Sequence, residues 1–361
     1  MHHITINKSV NVLLFLFLFF ASLYFARPFL EPFALAAVIA MLLLPLSKNM
    51  EKRGVNRALA ALLSLFVLLL AISGIIALLI WQISDIASDF NEMKRKVLEI
   101  IHNVQGYLNI KFGITEAEQK KFLDSTQSSG SGGVTRMLSN TMTVLIDLIL
   151  VLVYIFIFIY FRHHLKRFVL KLVAPAQIPK TEKIIHDSTQ VSYKYLSGLT
   201  MMIVILWILY GIGFSLVGIN NALFFAILCG VLEIIPFVGN LTGTSITLLM
   251  AITQGGGGGM IVGVLLTYFF VQFVQTYIIE PLVVGAEVNI NPLFTIIALV
   301  VGELLWGIVG LILAIPLLGM FKIVCDNIEI LKPYGFLIGE EKRKRTEIAH
   351  KIKTVFKKSS A

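Results

Sequence analysis

Charged residues are scarce in this sequence. Asp, Glu, Lys and Arg make up 14% of the 361 residues, whereas about 25% is usual for a soluble domain. Hydrophobic residues make up 57%, and the mean hydropathy is +0.87. One soluble core is too small to bury that much apolar surface, so the composition excludes an ordinary soluble protein and indicates a chain solvated largely by lipid.

Cysteines and recognisable reactive groups are also few. The two cysteines, Cys229 and Cys325, lie in or beside apolar runs and provide neither a disulfide framework nor metal-ligand spacing. The sequence contains no P-loop, no nucleophile elbow and no glycine-rich nucleotide fingerprint. We therefore expect no metal, no cofactor, no enzymatic activity and no ATP-driven transport by this chain alone.

Long apolar runs are abundant, and a membrane-spanning helix needs about 20 such residues. Five candidates come first in the chain: Val10–Ala26, Phe33–Leu46, Ala58–Trp81, Met142–Phe161 and Leu199–Val217. Two longer runs interrupted by Pro and Gly, Ala222–Ile252 and Pro292–Val324, lie on either side of Met260–Ile279. No small-residue cleavage pattern follows the first run, so we interpret it as a retained span. The sequence predicts an all-α polytopic membrane protein with about eight membrane segments, two of them broken hairpins.

Lys and Arg concentrate in three connections, at 47–57, at 162–194 and in the tail from Lys332. The positive-inside rule assigns all three connections to the cytoplasm, together with both termini. Orientation in the membrane therefore explains the net charge of +9, and no nucleic-acid partner is expected. The tail is expected to be solvated and to lie close to anionic lipid.

The charges of Ser84–Ser139 are balanced, and because predicted cytoplasmic connections lie on both sides of it, this segment is expected on the outer side. Its first part carries an apolar stripe at helical spacing that favours packing against a partner helix. The stripe consists of Ile86, Phe90, Met93, Val97, Ile100, Val104 and Tyr107. A flexible Ser/Gly linker follows at 125–133. The segment is thus a predicted outer helical insert.

The two broken runs contain an internal repeat. Asn221-Ala-Leu-Phe matches Asn291-Pro-Leu-Phe, and at the same offset of seventy positions Glu233 matches Glu303. With one span between them, the two copies would enter the membrane from opposite faces. Inverted repeats with broken helices are characteristic of secondary transporters. The sequence leaves open whether each hairpin is re-entrant or crosses fully.

Glu233 and Glu303 are candidates for transport or coupling because a carboxylate inside a membrane is costly. Either could bind and release a proton or bind a cation. The structural alternative is a carboxylate that caps a broken helix or pairs with Arg or Lys. Near the second membrane segment Arg27 and Glu31 are expected to pair.

The break in the first hairpin supplies further candidates, because Pro236 removes a backbone N–H and ends a helix. Free backbone groups at membrane depth must face protein or a watery cavity. Gln272 and Gln275 share a helical face and could line a polar path or pack between helices. Glu280 is expected to mark the cytoplasmic boundary. The remaining candidates near the break are Gly239, Asn240, Thr242 and Thr244.

Several sequence blocks resemble the autoinducer-2 exporter family of bacterial membrane proteins. The blocks are Arg27-Pro-Phe-Leu-Glu-Pro-Phe33, Glu233-Ile-Ile-Pro-Phe-Val-Gly-Asn240, Glu280-Pro281, Trp306-Gly-Ile-Val-Gly310 and Pro316-Leu-Leu318. The resemblance implies a bacterial inner membrane, export of small molecules such as autoinducer-2, or sodium or lithium–proton antiport. It also implies a homo-oligomer, possibly a pentamer.

Together these observations favour a secondary active transporter, with proton-linked export of a small molecule as the leading hypothesis. The alternatives are a sodium or lithium/proton antiporter and a non-transporting scaffold or receptor that acts through the outer insert. The expected partners are a small molecule or cation, protons and the lipid bilayer. The expected division is N-terminal spans (1–83), outer insert and linker (84–140), fourth span and basic connection (141–198), transport domain (199–326) and basic cytoplasmic tail (327–361).

Overall fold

The structure is a computed structural model that describes residues 2–88, 133–235, 238–284 and 290–340. Six helices in this part of the chain are long and apolar enough to cross a membrane. The α-helices are α1 (His2–Phe25), α2 (Arg27–Lys52), α3 (Arg57–Ser88), α4 (Gly133–Lys171), α5 (Ile178–Val217), α6 (Ala222–Leu232), α7 (Val238–Thr253), α8 (Gly257–Val274), α9 (Pro292–Asn327) and α10 (Lys332–Ile338). The predicted all-α polytopic fold is confirmed.

Helix α2 is the centre of the N-terminal bundle. It continues through Pro32 and Pro45 and packs against α3 and α4. The contact is built from small residues of α2 and α3, which let the backbones approach closely, and from β-branched residues of α4. Its buried members include Ala36, Ala40, Ala61, Ile155 and Ile159.

Helix α5 is longer than a membrane is thick, because its 40 residues rise about 60 Å at 1.5 Å each. Its N-terminal part lies antiparallel to the end of α4, and the two are joined by a 2.8 Å ion pair between Lys166 and Glu182. The helix ends at Gly218, whose φ of 83° is a left-handed conformation that glycine adopts without strain.

The first hairpin packs against the apolar end of α5. It consists of α6, a turn, and α7, which returns along α6. Gly239 at the start of α7 lies against the end of α6, so that a Cβ there would fall 1.7 Å from the carbonyl oxygen of Leu232. Gly243 similarly faces Cys229. Small residues therefore set the close spacing of the two arms.

Helix α8 runs antiparallel to α5. Gly263 faces Val217, and Gly213 faces Thr267. From Gln275 the helix continues as a π-helix, Gln275–Val284. Because α8 reverses the direction of α5, the chain arrives at the face opposite the one where the first hairpin opened.

The second hairpin is α9, which reverses direction at Gly307 (φ 61°, ψ −137°). Its arms, 292–306 and 308–327, meet where Gly302 faces Gly310. At 15 and 20 residues they are about 22 and 30 Å long. The seventy-residue offset relates Gly307 to position 237, which immediately precedes α7 in the sequence. The two hairpins therefore open at opposite faces, as the proposed inverted repeat requires.

The tip of the second hairpin docks on the corner between α1 and α2. The indole Nε1–H of Trp306 donates to the carbonyl of Leu23 at 3.1 Å, and Arg27 Nη2 donates to the carbonyl of Trp306 at 3.4 Å. Arg27 also forms the expected ion pair with Glu31 at 2.7 Å. The tip thus reaches the end of the membrane domain that lies opposite the hairpin's own opening.

Residues after the second hairpin fold back onto it. Helix α10 packs on α9, and the amide of Asn291 donates to the carbonyl of Ile338 at 2.8 Å. The rest of the basic tail, 341–361, lies outside the described residues, as does most of the expected outer insert with its apolar stripe.

Candidate functional site

Glu233 is a buried carboxylate at the tip of the first hairpin. It directly follows α6, and 8% of it is exposed. Gln275 Nε2 donates to its Oε1 at 2.7 Å, while Oε2 has no hydrogen-bond partner among the described residues. Gln275 is itself buried, and its Oε1 is likewise without a partner there. An acidic group and an amide thus meet in an enclosed place, each with one oxygen unused.

A second polar layer lies beside this pair. The hydroxyl of Tyr210 donates to Asn240 Oδ1 at 3.3 Å, and Asn240 Nδ2 donates to Gln272 Oε1. Gln272 Nε2 in turn donates to Thr276 at 3.3 Å. The layer therefore links α5, the first hairpin and α8 in one hydrogen-bonded chain.

The cluster is buried in protein, and along α8 it lies toward the far end of the span. Gln275 is 18 residues beyond Gly257, the start of α8, which corresponds to roughly 27 Å of helix. Glu280, five residues further on, is exposed at the end of the span. The Glu280 carboxylate lies within electrostatic range of Glu233. A polar route from the cluster to the nearer face would thus pass Glu280.

Local backbone features create the cluster. The π-helix starts at Gln275, and such a widening redirects side chains and occurs often at functional sites. On the other side, the missing side chain of Gly239 lets α7 start directly against the end of α6, which brings Asn240 within reach of α8.

The other predicted residues of the first hairpin fall into different settings. Thr244 is buried, and its Oγ1 has no hydrogen-bond partner among the described residues. Thr242 is exposed. Pro236 lies outside the described residues.

Glu303 is separate from this site. It lies on the first arm of α9, four residues before the reversal at Gly307, and its side chain is exposed. Within the described part of the chain it forms no ion pair or hydrogen bond. The structure therefore distinguishes the two glutamates that the repeat had made equivalent.

Tyr210 is a site residue that the sequence reasoning did not select. It is fully buried on the face of α5 that also carries Met202, Leu206 and Phe214. This spacing of four residues was readable in the sequence as a packed helical face. What it did not reveal was that the tyrosine hydroxyl meets Asn240.

The site contains oxygen and amide groups only. No group of three or more His, Cys, Asp or Glu side chains that could hold a metal ion occurs in the described ranges. Carboxylate, amide and hydroxyl oxygens suit protons and hard monovalent or divalent cations rather than transition metals.

Comparison with known sequences assigns the chain to a family. The family described as "AI-2E family transporter" matches residues 13–330, which include both hairpins and the polar cluster. The chain belongs to this family. The resemblance drawn from the sequence blocks is thereby confirmed, and this AI-2E family member is a multi-pass membrane protein of a bacterial transporter family.

Individual relatives extend over most of the chain. "Putative transport protein YrrI" of Bacillus subtilis (strain 168) is 24% identical over 303 residues, covering 81% of this chain and 84% of its own length. "Putative permease PerM" of Escherichia coli (strain K12) is 24% identical over 327 residues, covering 88% and 92%. The AI-2E family assignment therefore concerns the whole membrane domain, and the relatives' names describe transport without specifying a cargo.

Proposed function

We propose that this protein is a secondary active transporter that couples proton movement to export of a small molecule such as autoinducer-2. Glu233 is the proton-binding group of this proposal, and the bacterial inner membrane is its location, with both termini in the cytoplasm. The observation that carries the proposal is the buried Glu233–Gln275 pair at the tip of a broken hairpin.

The pair suits a group that gains and loses a proton. An ionised Glu233 accepts a hydrogen bond from Gln275 Nε2, as in the structure. A protonated Glu233 needs an acceptor instead. The amide oxygen of Gln275, Oε1, can accept that bond, since it has no other partner among the described residues. Each charge state can therefore make a hydrogen bond to Gln275 inside the protein, which lowers the cost of burial in each.

The test is proton flux in proteoliposomes that contain wild-type protein, Glu233→Gln or Glu303→Gln. We expect Glu233→Gln to reduce cargo-driven proton movement to that of protein-free liposomes, because glutamine does not titrate. Glu303→Gln is the matched control: the same substitution at the repeat-related but exposed position should retain flux. Retained flux in a well-folded Glu233→Gln variant would contradict the coupling role. A protein inactive toward every cargo would favour the scaffold alternative.

Sodium or lithium/proton antiport is the second candidate. It is favoured by buried oxygens without hydrogen-bond partners in the described structure on Glu233 and Gln275, and by a third on Thr244, which follows Asn240 by one turn of α7. Oxygen ligands of this kind are the ones that hard cations prefer. In this variant of the proposal the cation and the proton compete for Glu233.

Thr244→Val tests the cation site without changing side-chain volume. We expect it to weaken sodium- or lithium-driven proton release, seen as a raised half-saturating cation concentration. Thr247→Val is the control, since the Thr247 hydroxyl is already bonded to the carbonyl of Gly243 at 2.9 Å. Equal cation dependence in wild type and Thr244→Val would remove the hydroxyl from the site and leave small-molecule export as the favoured reading.

A further inference from the structure

A half-open cavity of about 260 Å³ lies where α2, α4 and the N-terminal part of α5 meet. Its wall is mostly apolar, and two cations, Arg162 and Lys166, line it as well. The apolar members are Ala37, Ala40, Met41, Leu44, Phe158 and Ile159 on α2 and α4, with Val169 and Ile185 further along. The cavity is remote from the Glu233 cluster, and the transport proposal makes no use of it.

Arg162 enters this cavity with hydrogen-bonding capacity to spare. Its Nη1 and Nη2 donate to the two carboxylate oxygens of Glu51 at 2.7 and 2.5 Å. The third nitrogen, Nε, is buried and has no partner among the described residues. A guanidinium has donors on all three nitrogens, so Arg162 keeps one unused donor while it holds Glu51, and a shift of the side chain is needed for an acceptor in the cavity to reach it.

The charge around the cavity is positive in excess. Glu51 and Glu182 each pair with one cation, Arg162 and Lys166 respectively. Arg57 and Arg167 lie close enough to act electrostatically on His163, and neither forms an ion pair within the described ranges. An anion is therefore favoured here over a neutral or cationic headgroup.

The position of the cavity fits a molecule that is apolar at one end and anionic at the other. Its α2 and α4 walls belong to candidate membrane spans, and Lys166 and Ile185 lie near the ends of α4 and α5 that meet at the basic connection. Basic pockets between spans at a membrane boundary are typical sites for acidic lipid headgroups.

We propose that this cavity binds one anionic phospholipid of the surrounding bilayer, with an acyl chain against the α2–α4 wall and the phosphate accepting from Arg162 Nε and Lys166. The lipid joins the membrane-embedded part of α4 to the projecting part of α5. A free anionic solute would use the same cations but not the apolar wall.

Two variants separate the apolar and the charged contributions. Ala37→Phe fills the apolar wall without changing charge, and Ala71→Phe on the exposed face of α3 is its matched control. The double variant Glu51→Gln/Arg162→Gln removes both charges of the pair together, so that neither is left unpaired. Both are tested as the full chain in mixed micelles with phosphatidylglycerol or phosphatidylcholine.

The measurement is the number and identity of lipids retained in native mass spectrometry. We expect wild type and Ala71→Phe to keep one phosphatidylglycerol with about tenfold preference over phosphatidylcholine, because both phosphates can accept hydrogen bonds but the choline cation is repelled by the surrounding positive charge. Ala37→Phe should lose this lipid, and the double variant should retain less phosphatidylglycerol, because the Arg162 donor is gone. Equal retention of the two lipids by wild type, or an unchanged bound phosphatidylglycerol in Ala37→Phe, would overturn the proposal.

Discussion

Replacing Gly310 by alanine is expected to prevent the second hairpin from closing. A Cβ at this position would lie 1.8 Å from the carbonyl oxygen and 2.5 Å from the carbonyl carbon of Gly302. Both atoms belong to the backbone of the facing arm, so no rotamer change relieves the clash. Overpacking usually costs about 1–3 kcal/mol, and a clash between two helix backbones is expected to exceed that range.

The expected result is a large loss of monodisperse protein and a Tm lowered by many degrees in detergent. Gly74→Ala is the matched control, because nothing lies within 4 Å of a Cβ built there in the middle of α3. There alanine should be neutral or stabilising, by up to about 1 kcal/mol, since it favours the helix. A Gly310→Ala protein with wild-type Tm would show that the arms do not approach as closely as the structure describes.

Arg162→Ala is expected to be the most damaging single loss of a charge. It would leave Glu51 with its two guanidinium bonds broken, in a setting where the two side chains are only 14% and 21% exposed. Breaking a buried ion pair from one side costs about 3–5 kcal/mol, and incomplete burial places this pair near the lower end. The bond also joins positions 111 residues apart, so its loss weakens the attachment of α4 to the end of α2.

Thermal unfolding of four proteins tests this assignment. Glu51→Gln/Arg162→Gln should recover most of the stability that Arg162→Ala loses, because two neutral amides can bond each other. Lys166→Ala is the control: its pair with Glu182 is 44% and 45% exposed, and exposed pairs contribute about 0–1 kcal/mol. If Arg162→Ala and Lys166→Ala lowered Tm equally, the Glu51–Arg162 ion pair would contribute no more to stability than the exposed Lys166–Glu182 pair.

The membrane segments were predictable because lipid demands long apolar helices, which composition reveals directly. The hairpins were predictable as breaks, since Pro and Gly interrupt otherwise apolar runs. The structure shows how the second break is formed. Gly307 reverses the chain, and Gly302 and Gly310 set how closely the two arms pack. Contacts such as Glu51 with Arg162 could not be foreseen, because a pairing between distant spans leaves no periodicity in the sequence.

The candidate site illustrates the same limit. An offset of seventy residues made Glu233 and Glu303 equivalent in sequence, yet one lies at a turn and the other on an arm. Which way a side chain faces depends on helical phase and on where the reversal falls, and both differ by a few residues between the hairpins. The shared orientation of Gln272 and Gln275 was easier to predict, because a separation of three residues places them on one helical face.

The docking of Trp306 on the α1–α2 corner has a consequence for biogenesis. Leu23 and Trp306 are 283 residues apart, so their hydrogen bond forms only after nearly the whole chain has been made. At 5–20 residues per second, this interval is roughly 14–57 s. During this interval Arg27 is already part of the nascent membrane domain, but the Trp306 carbonyl that accepts its hydrogen bond has not yet been synthesised. Glu31, one helical turn away, is already present to neutralise it.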